Sequence, residues 1–187
     1  LLIAPPNMPD PRFRKTVVYI WRHDVSGAAG VVINKKCQQP DFKHICNEGT
    51  IHRLPKINHP VYYGGPILTN VVGVLHSTDF ILSSTNELNE DKVGFTLDRK
   101  MLEVIAKGQG PRNKLITLGM ANWTTGQLEE ELEHPRNPAM SWLIMDYDEK
   151  FVFGQLDEDK PDDLWENCVN QAIRNKTQEI TSKIFED

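Results

Sequence analysis

Long apolar runs are missing from this 187-residue chain. None approaches the ~18 residues that would span a bilayer, so no membrane contact is expected. Cysteine is scarce as well. Cys37, Cys46 and Cys168 make an odd count with no C-x-x-C pair. That excludes a disulfide framework and fits free thiols in a reducing cytoplasm. The opening LLIA, followed by Pro5 and Pro6, has neither the basic flank nor the apolar length of a secretion signal. No G-x-S-x-G elbow, H-E-x-x-H motif or Walker loop occurs. Gly108-Gln109-Gly110 starts like a dinucleotide fingerprint but follows a predicted helix and precedes a predicted strand, so no helix N-terminus would face a phosphate. There is no internal repeat, low-complexity tract or linker. Basic charge is not in excess either, since 21 Lys and Arg stand against 26 Asp and Glu, a net charge of -5.

What is present reads as one domain. A chain of this length buries roughly 70% of the surface its unfolded form exposes and needs neither disulfide nor metal for stability. The predicted boundaries are 1–173 for the domain and 174–187 for a polar helical extension. Charge is uneven, with basic residues gathered in the first third and acidic residues in the last. Phosphate binding needs clustered Lys and Arg. Only the first third offers them, and Arg12, Arg14 and Lys15 are the candidates there, with Lys35 and Lys36 further on. Attraction between the two ends of the chain is the preferred account of the asymmetry.

The local pattern alternates strands and helices irregularly. Residues 1–4 predict a short strand, and the Pro-rich stretch 5–15 a rigid loop. TVVYIWR (16–22) and GAAGVVIN (27–34) predict a hairpin, with Gly27 and Gly30 leaving room for a bulge or a close backbone approach. Weak helical pattern lies at 41–48. A strand running into a Gly-Gly-Pro turn is predicted at 61–66, and strands at 70–76, 80–84, 93–97, 114–119, 141–146 and 151–154. Asp98 caps a helix that buries Met101, Leu102, Ile105 and Ala106 and stops at Gly108. Thr124 and Gln127 have capping-box spacing and open a second helix. From Pro161 apolar residues recur at helical spacing through Ile173, and Ile180 and Ile184 continue that face. Residues 134–140 predict a surface loop. Without strict strand–helix alternation, this is an α+β pattern with a mixed or antiparallel sheet.

Several residues carry possible chemistry. His23 and His76 each end a predicted strand, and Asp24 and Ser26 adjoin His23, so a Ser/His/Asp set or a His-lined ligand site is conceivable. Cys37, His44, Cys46, His52 and His59 could ligate zinc, but their spacing matches no structural zinc unit, so no metal site is expected. Gly64 and Gly65 could aim backbone N–H groups at an anion, or could simply make a turn. Residues 119–126 lead into the capped helix and form the expected ligand-facing loop, with Trp123 either lining it or packed in the core. Glu129, Glu130 and Glu131 cannot share one helix face and read as a solvated run.

Read together, LLIAPPNMPDPRFRKTVVYIWRHDVSGAAGVVIN, VYYGGP, GVLH, ITLGMANWTTGQLEEEL and SWL resemble, in order, the blocks of the YqgE/AlgH-like family over residues 1–166. The resemblance implies an α+β domain whose branched, mixed sheet folds into a pseudo-barrel with flanking helices. It implies a cytosolic protein of a largely uncharacterised family, one branch of which is called a transcriptional regulator of exopolysaccharide synthesis, with no established activity or cofactor. By position the resemblance covers Asp10, Pro11 and Phe13 in the opening loop. It covers His23, Gly27, Gly30 and Asn34 in the hairpin, and Gly64, Gly65, Pro66 and His76 in the middle. The last block supplies Gly119, Ala121, Trp123, Gly126, Gln127, Leu128 and Glu129. Trp21 stands where the family often has Cys, and Asn122 and Thr124 stand where it has Gly.

The expectation is therefore a cytoplasmic monomer or homodimer that binds a protein or small ligand and is not an enzyme, with no cofactor and no metal. The candidate ligand residues are His23, Asn34, Gly64, Gly65, His76, Trp123 and Gln127. The alternatives are a small-ligand-binding or hydrolytic enzyme using a His23/His76 pocket, and direct nucleic-acid contact through Arg12, Arg14 and Lys15.

Overall fold

Nine strands and five helices build the fold in a computed structural model, which describes residues 1–49, 51, 54–88, 92–133, 141–154 and 163–185. The strands are β1 (Leu2–Ile3), β2 (Val17–Asp24), β3 (Gly27–Val32), β4 (Val61–Tyr63), β5 (Ile67–Ser77), β6 (Asn86–Leu88), β7 (Val93–Thr96), β8 (Lys114–Thr124) and β9 (Leu143–Ile144). The helices are α1 (Phe42–Gly49), α2 (Arg99–Ala106), α3 (Gln127–Glu133), α4 (Glu149–Phe153) and α5 (Asp163–Phe185). The sheet runs β6-β7-β5-β8-β3-β2-β1-β9, and β4 pairs with β8 off that path. It curls into a half-barrel with helices against it. Every pairing between these strands is antiparallel except β4 with β8, so the sheet is mixed, as expected for the α+β class.

β2 shows why its sequence is apolar throughout rather than alternating. Successive side chains on a strand point to opposite faces. Val17, Tyr19 and Trp21 enter a cluster with Val31, Ile33 and Phe95, and with Cys168 and Val169 of α5. Val18 and the half-buried Ile20 enter another, with Ala28, Ala121, Trp123 and Leu128. Both faces are covered, so both parities are apolar. The hairpin register shifts between Ile20 and Arg22, placing a bulge beside Gly30, where an added Cβ would lie 2.8 Å from the Tyr19 carbonyl oxygen. Trp21 stacks on Phe95 at 4.6 Å. A third cluster holds α1 and α2 against Val61, Val74 and Ile116.

β8 is the branching strand. Its first part pairs with β5 along one edge and, through Ile116, Thr117 and Leu118, with β4 along the other. Beyond Gly119 that second edge passes to β3, with Ala121 to Trp123 opposite Gly30 to Ala28. At the handover the backbones of 64–65 and 119–120 cross in near contact. Gly119 adopts φ 78°, and a Cβ on Gly64 would lie 2.2 Å from the Gly119 carbonyl oxygen.

Four local expectations are corrected. Residues 119–124 are not a loop but the second half of β8, because the chain passes through a positive φ at Gly119 and goes on pairing. Residues 151–154 are not a strand. Asp148 accepts the Lys150 N–H at 2.8 Å and caps α4, a local bond that outweighs the β-propensity of FVF. Residues 80–84 turn instead of pairing, with Leu82 N–H donating to Thr85 Oγ1 at 2.9 Å, and the strand begins at Asn86. Of 141–146 only Leu143–Ile144 pair, against β1. α5 is continuous, with its last buried residue among those described at Ala172 and Ile173 half exposed. The predicted surface loop at 134–140 lies outside the described residues.

His76 sits at the far end of β5, fully buried. Its Nδ1–H donates to the Ser77 carbonyl at 2.9 Å, and Thr96 Oγ1 donates to its Nε2 at 2.8 Å. Thr85 Oγ1 and Thr96 Oγ1 share a further hydrogen bond at 2.8 Å, which extends the chain of hydroxyls from the imidazole. Burial pushes the His76 pKa below that of an unfolded histidine. Below about pH 6.5 the unfolded chain therefore takes up a proton that the fold resists, and stability falls with pH until the folded pKa is passed, at up to ~1.4 kcal/mol per pH unit. Urea titrations between pH 7.5 and 5 should show this slope, and His76→Gln should reduce it, with His59, whose pKa burial also lowers, supplying a remainder. Identical slopes in the two proteins would remove His76 as its source.

Candidate functional site

The Pro-rich opening loop is held by its own polar side chains. Asp10 Oδ1 accepts the Arg12 N–H at 2.9 Å, and the Arg12 guanidinium grips both oxygens of Asp10, the shortest contact being 2.6 Å. This guanidinium holds the Asp10 carboxyl below the usual carboxylate range. The turn presents Phe13 to two indoles. Phe13 lies near-parallel to Trp123 (6.5 Å, 30°) and edge-on to Trp142 (5.6 Å, 79°), and the two tryptophans meet at 6.1 Å and 76°. Trp123 comes from the end of β8 and Trp142 from just before β9.

α3 supplies the anchor. Glu131 Oε2 accepts the Nε1–H of Trp123 at 3.0 Å and that of Trp142 at 2.9 Å. Its Oε1 accepts from Gln127 Nε2 at 2.9 Å, one helical turn back. Gln127 Oε1 then accepts the Thr124 N–H at 3.0 Å, which is the return half of a capping box. The result is a cavity of about 300 Å³ lined by Asp10, Arg12, Phe13, Asn122, Gln127 and Glu131 among others. Pro66, from the turn after β4, and Ile67, the first residue of β5, also line it.

The sequence candidates fall into three groups. Trp123 and Gln127 line this cavity, Trp123 being also a core residue at 3% exposure. Asn34, Gly64 and Gly65 are not among its lining residues. Asn34 is buried, accepts the Val17 N–H at 2.8 Å and donates to the Lys15 carbonyl at 2.9 Å, so it laces the exit of the opening loop to β3. Gly64 and Gly65 are occupied by the β8 crossing. Gly64 N–H donates to the Leu118 carbonyl at 2.8 Å rather than toward an anion. His23 and His76 stand apart. His23 is opposite Ala28, which is opposite Trp123, whereas His76 is opposite Lys114. From Lys114 to Trp123 β8 covers roughly 30 Å at about 3.3 Å per residue, so the two imidazoles share no pocket. Nor does a Ser/His/Asp set form, since His23 Nε2 donates to Glu129 Oε1 at 2.5 Å and Ser26 Oγ donates to Asp24 at 2.5 Å.

Arg12 and Arg14 fold back on their own loop, and Lys15 meets α5. Arg12 is committed to Asp10, Arg14 donates to the Met8 carbonyl at 3.2 Å, and Lys15 lies 5.6 Å from the Trp165 ring centre. Among the described residues no group of three His, Cys, Asp or Glu is placed to hold a metal. His44 bonds Asp41 at 2.6 Å and Cys46 is buried in the core, while His52 lies outside the described residues. Burial raises the pKa of Cys37 and Cys46 and pushes Cys168 up to about 12, so all three stay thiols.

Sequence reasoning missed Glu131 and Trp142. Glu131 reads as one of three solvated glutamates, but it lies one helical turn after Gln127, on the side that meets the two indoles. That spacing was the available sign. Trp142 falls in the SWL block of the resemblance, but nothing in that block shows that it meets Phe13, which lies far away in sequence.

The comparisons agree with this architecture. A family model described as AlgH-like matches residues 1–176. A UPF0301 protein of Cereibacter sphaeroides is 38% identical over 161 residues, covering 86% of this chain and 85% of that protein. One from a Bradyrhizobium strain is 36% identical over 170 residues, 87% of this chain and 76% of its own length. The solution structure of the AlgH protein from Pseudomonas aeruginosa superposes with a TM-score of 0.73 at 32% identity, covering 92% of this chain and 86% of that one. On these matches this chain belongs to the AlgH-like family.

Proposed function

We propose that this protein works by recognition rather than turnover, as a cytosolic regulatory protein whose ligand enters the cavity between the opening loop, the turn after β4, the end of β8 and α3. The observation that carries this reading is the Glu131 carboxylate, fixed by two indole N–H groups inside a concave wall of mixed apolar and polar side chains. Such a mixture of apolar lining and a few oriented polar groups is the usual make-up of a ligand pocket. The separation of His23 from His76 and the protonated thiols support binding over hydrolysis.

The test is a fragment screen by NMR on the full chain, read at the indole Nε1–H signals of Trp123 and Trp142. Hits should move both signals together. Asn122→Trp, at an exposed rim position, should abolish the response without unfolding the protein. A diverse library that leaves both indoles unmoved would sink the reading.

A further inference from the structure

Apart from that cavity, we infer that the free edge of β9 docks an extended peptide segment of another protein. The segment adds to the sheet as an antiparallel strand, with an apolar residue opposite Ile144 and a basic one opposite Asp146. Register, shape and charge carry the assignment.

The register exposes main-chain groups. Leu1 and Met145 exchange both of theirs, Leu1 N donating to the Met145 carbonyl at 2.7 Å and Met145 N to the Leu1 carbonyl at 3.1 Å. In an antiparallel ladder such pairs alternate with pairs that do not bond each other. Leu2 and Ile144 are the next pair, so the Ile144 N–H and C=O point away from β1. Among the described residues no strand lies on that side. Native sheet edges are commonly blunted by charge or Pro. The opposite edge strand, β6, carries Glu87. Ser141 to Met145 hold neither a charge nor a Pro, and Ile144 is 60% exposed.

The shape selects the occupant. A cavity of about 430 Å³ runs along residues 141–146. Side chains of this segment alternate between the two faces of the sheet. Leu143 and Met145 pack with α5, and Trp142 packs with Leu132 of α3. The cavity is bounded on one face by Leu132 and on the other by Asn175, Lys176 and Glu179, so α5 overhangs the edge beyond its buried part. A second copy pairing antiparallel, edge to edge, would bring its own α5 over the same face, into space already taken. A lone strand brings no helix. Strand addition of this kind draws affinity from main-chain bonds and specificity from alternate side chains.

Charge sets the sequence of the occupant. Asp146 follows Ile144 at the strand period of two, lines the same cavity and is exposed, with no ionic partner among the described residues. Glu179, by contrast, is paired with Lys183 at 2.8 Å. Residues directly opposite on one face interact most strongly, so a basic side chain suits Asp146 and an apolar one Ile144. Read along an antiparallel strand, the pattern is basic-x-apolar.

The experiment uses the isotope-labelled full chain and the acetylated, amidated peptide Ser-Arg-Thr-Ile-Thr-Val-Ser, read at the Ile144 backbone amide by NMR. In dilute protein that amide should exchange freely with solvent, and saturating peptide should slow the exchange by about tenfold or more. Methylating the main-chain nitrogen of the peptide's Ile removes its bond to the Ile144 carbonyl and changes no side chain. It should weaken binding about tenfold. Replacing the peptide's Arg by Glu should weaken binding about threefold, and Asp146→Lys should reverse that preference. Ile144→Pro removes the outward donor without touching the bonds to β1 and should abolish binding. The methylated peptide keeps the test valid even where this variant folds poorly. Equal affinity of the methylated and unmethylated peptides overturns the proposal. So does an Ile144 amide that none of these peptides protects. Protection that rises with protein concentration alone assigns the edge to a second copy and overturns it too.

Discussion

Replacing Glu131 with alanine should cost the fold about 3 kcal/mol, measured by urea unfolding at neutral pH. Hydrogen bonds to a charged acceptor are worth roughly 1.5–3 kcal/mol each, and a buried donor left unpaired costs a further 1–3 kcal/mol. Glu131 accepts three such bonds, two from the indoles of Trp123 and Trp142, which are 3% and 6% exposed. Full additivity would exceed the stated figure. Glu131 is only partly buried, however, and water entering the vacated space would recover some of the loss. Glu131→Gln retains one acceptor oxygen and should cost about half as much. Glu133→Ala, an exposed position on the same helix, should stay within about 0.5 kcal/mol of wild type. If Glu131→Ala and Glu133→Ala behave alike, the carboxylate does not hold the two tryptophans.

The second large effect is expected where the backbones cross. In Gly65→Ala the new Cβ would lie 2.2 Å from the carbonyl carbon of Met120 and 2.4 Å from its oxygen, and φ is 150°. In Gly64→Ala it would lie 2.2 Å from the Gly119 oxygen. Backbone on both sides has no rotamer by which to move aside. Each substitution should cost more than about 4 kcal/mol, the range reserved for frank steric failure, and give aggregated or unfolded material. Gly126→Ala is the control for backbone conformation alone. It has φ 73° and nothing within 4 Å of the added carbon, so only the left-handed penalty of about 1–2 kcal/mol applies. Thermal melts of Gly65→Ala and Gly126→Ala that coincide would show that the crossing is looser than the distances imply.

Much of the fold could be read along the chain because it depends on neighbours in sequence. The β2–β3 hairpin follows from a β-branched and aromatic run, a polar turn and a glycine-spaced return. α2 follows from Asp98, whose side chain accepts the Lys100 N–H at 2.9 Å, and from Gly108, which ends the turn at φ 75°. What could not be read depends on partners far away. Gly119 looks like the end of a strand until Gly64 and Gly65 are seen to press against it. FVF looks like a strand until Asp148 caps it. The cavity was legible in part. Trp123 and Gln127 stand out in the sequence, and the opening loop is a block of the resemblance that contains Asp10 and Phe13. Their convergence on Glu131 and Trp142 required the third dimension.

β8 touches all three apolar clusters, through Leu115 and Met120 in one, Ala121 and Trp123 in another and Ile116 in the third. Its partners β3 and β5 come from much earlier in the chain. Neither a fragment ending before Lys114 nor one starting there holds a complete interior, so the halves made by cutting at that point should stay unstructured separately and regain order only when mixed. Assembly of the protein would then wait on contacts between segments far apart along the polymer, a topology that favours slow, all-or-none acquisition of structure.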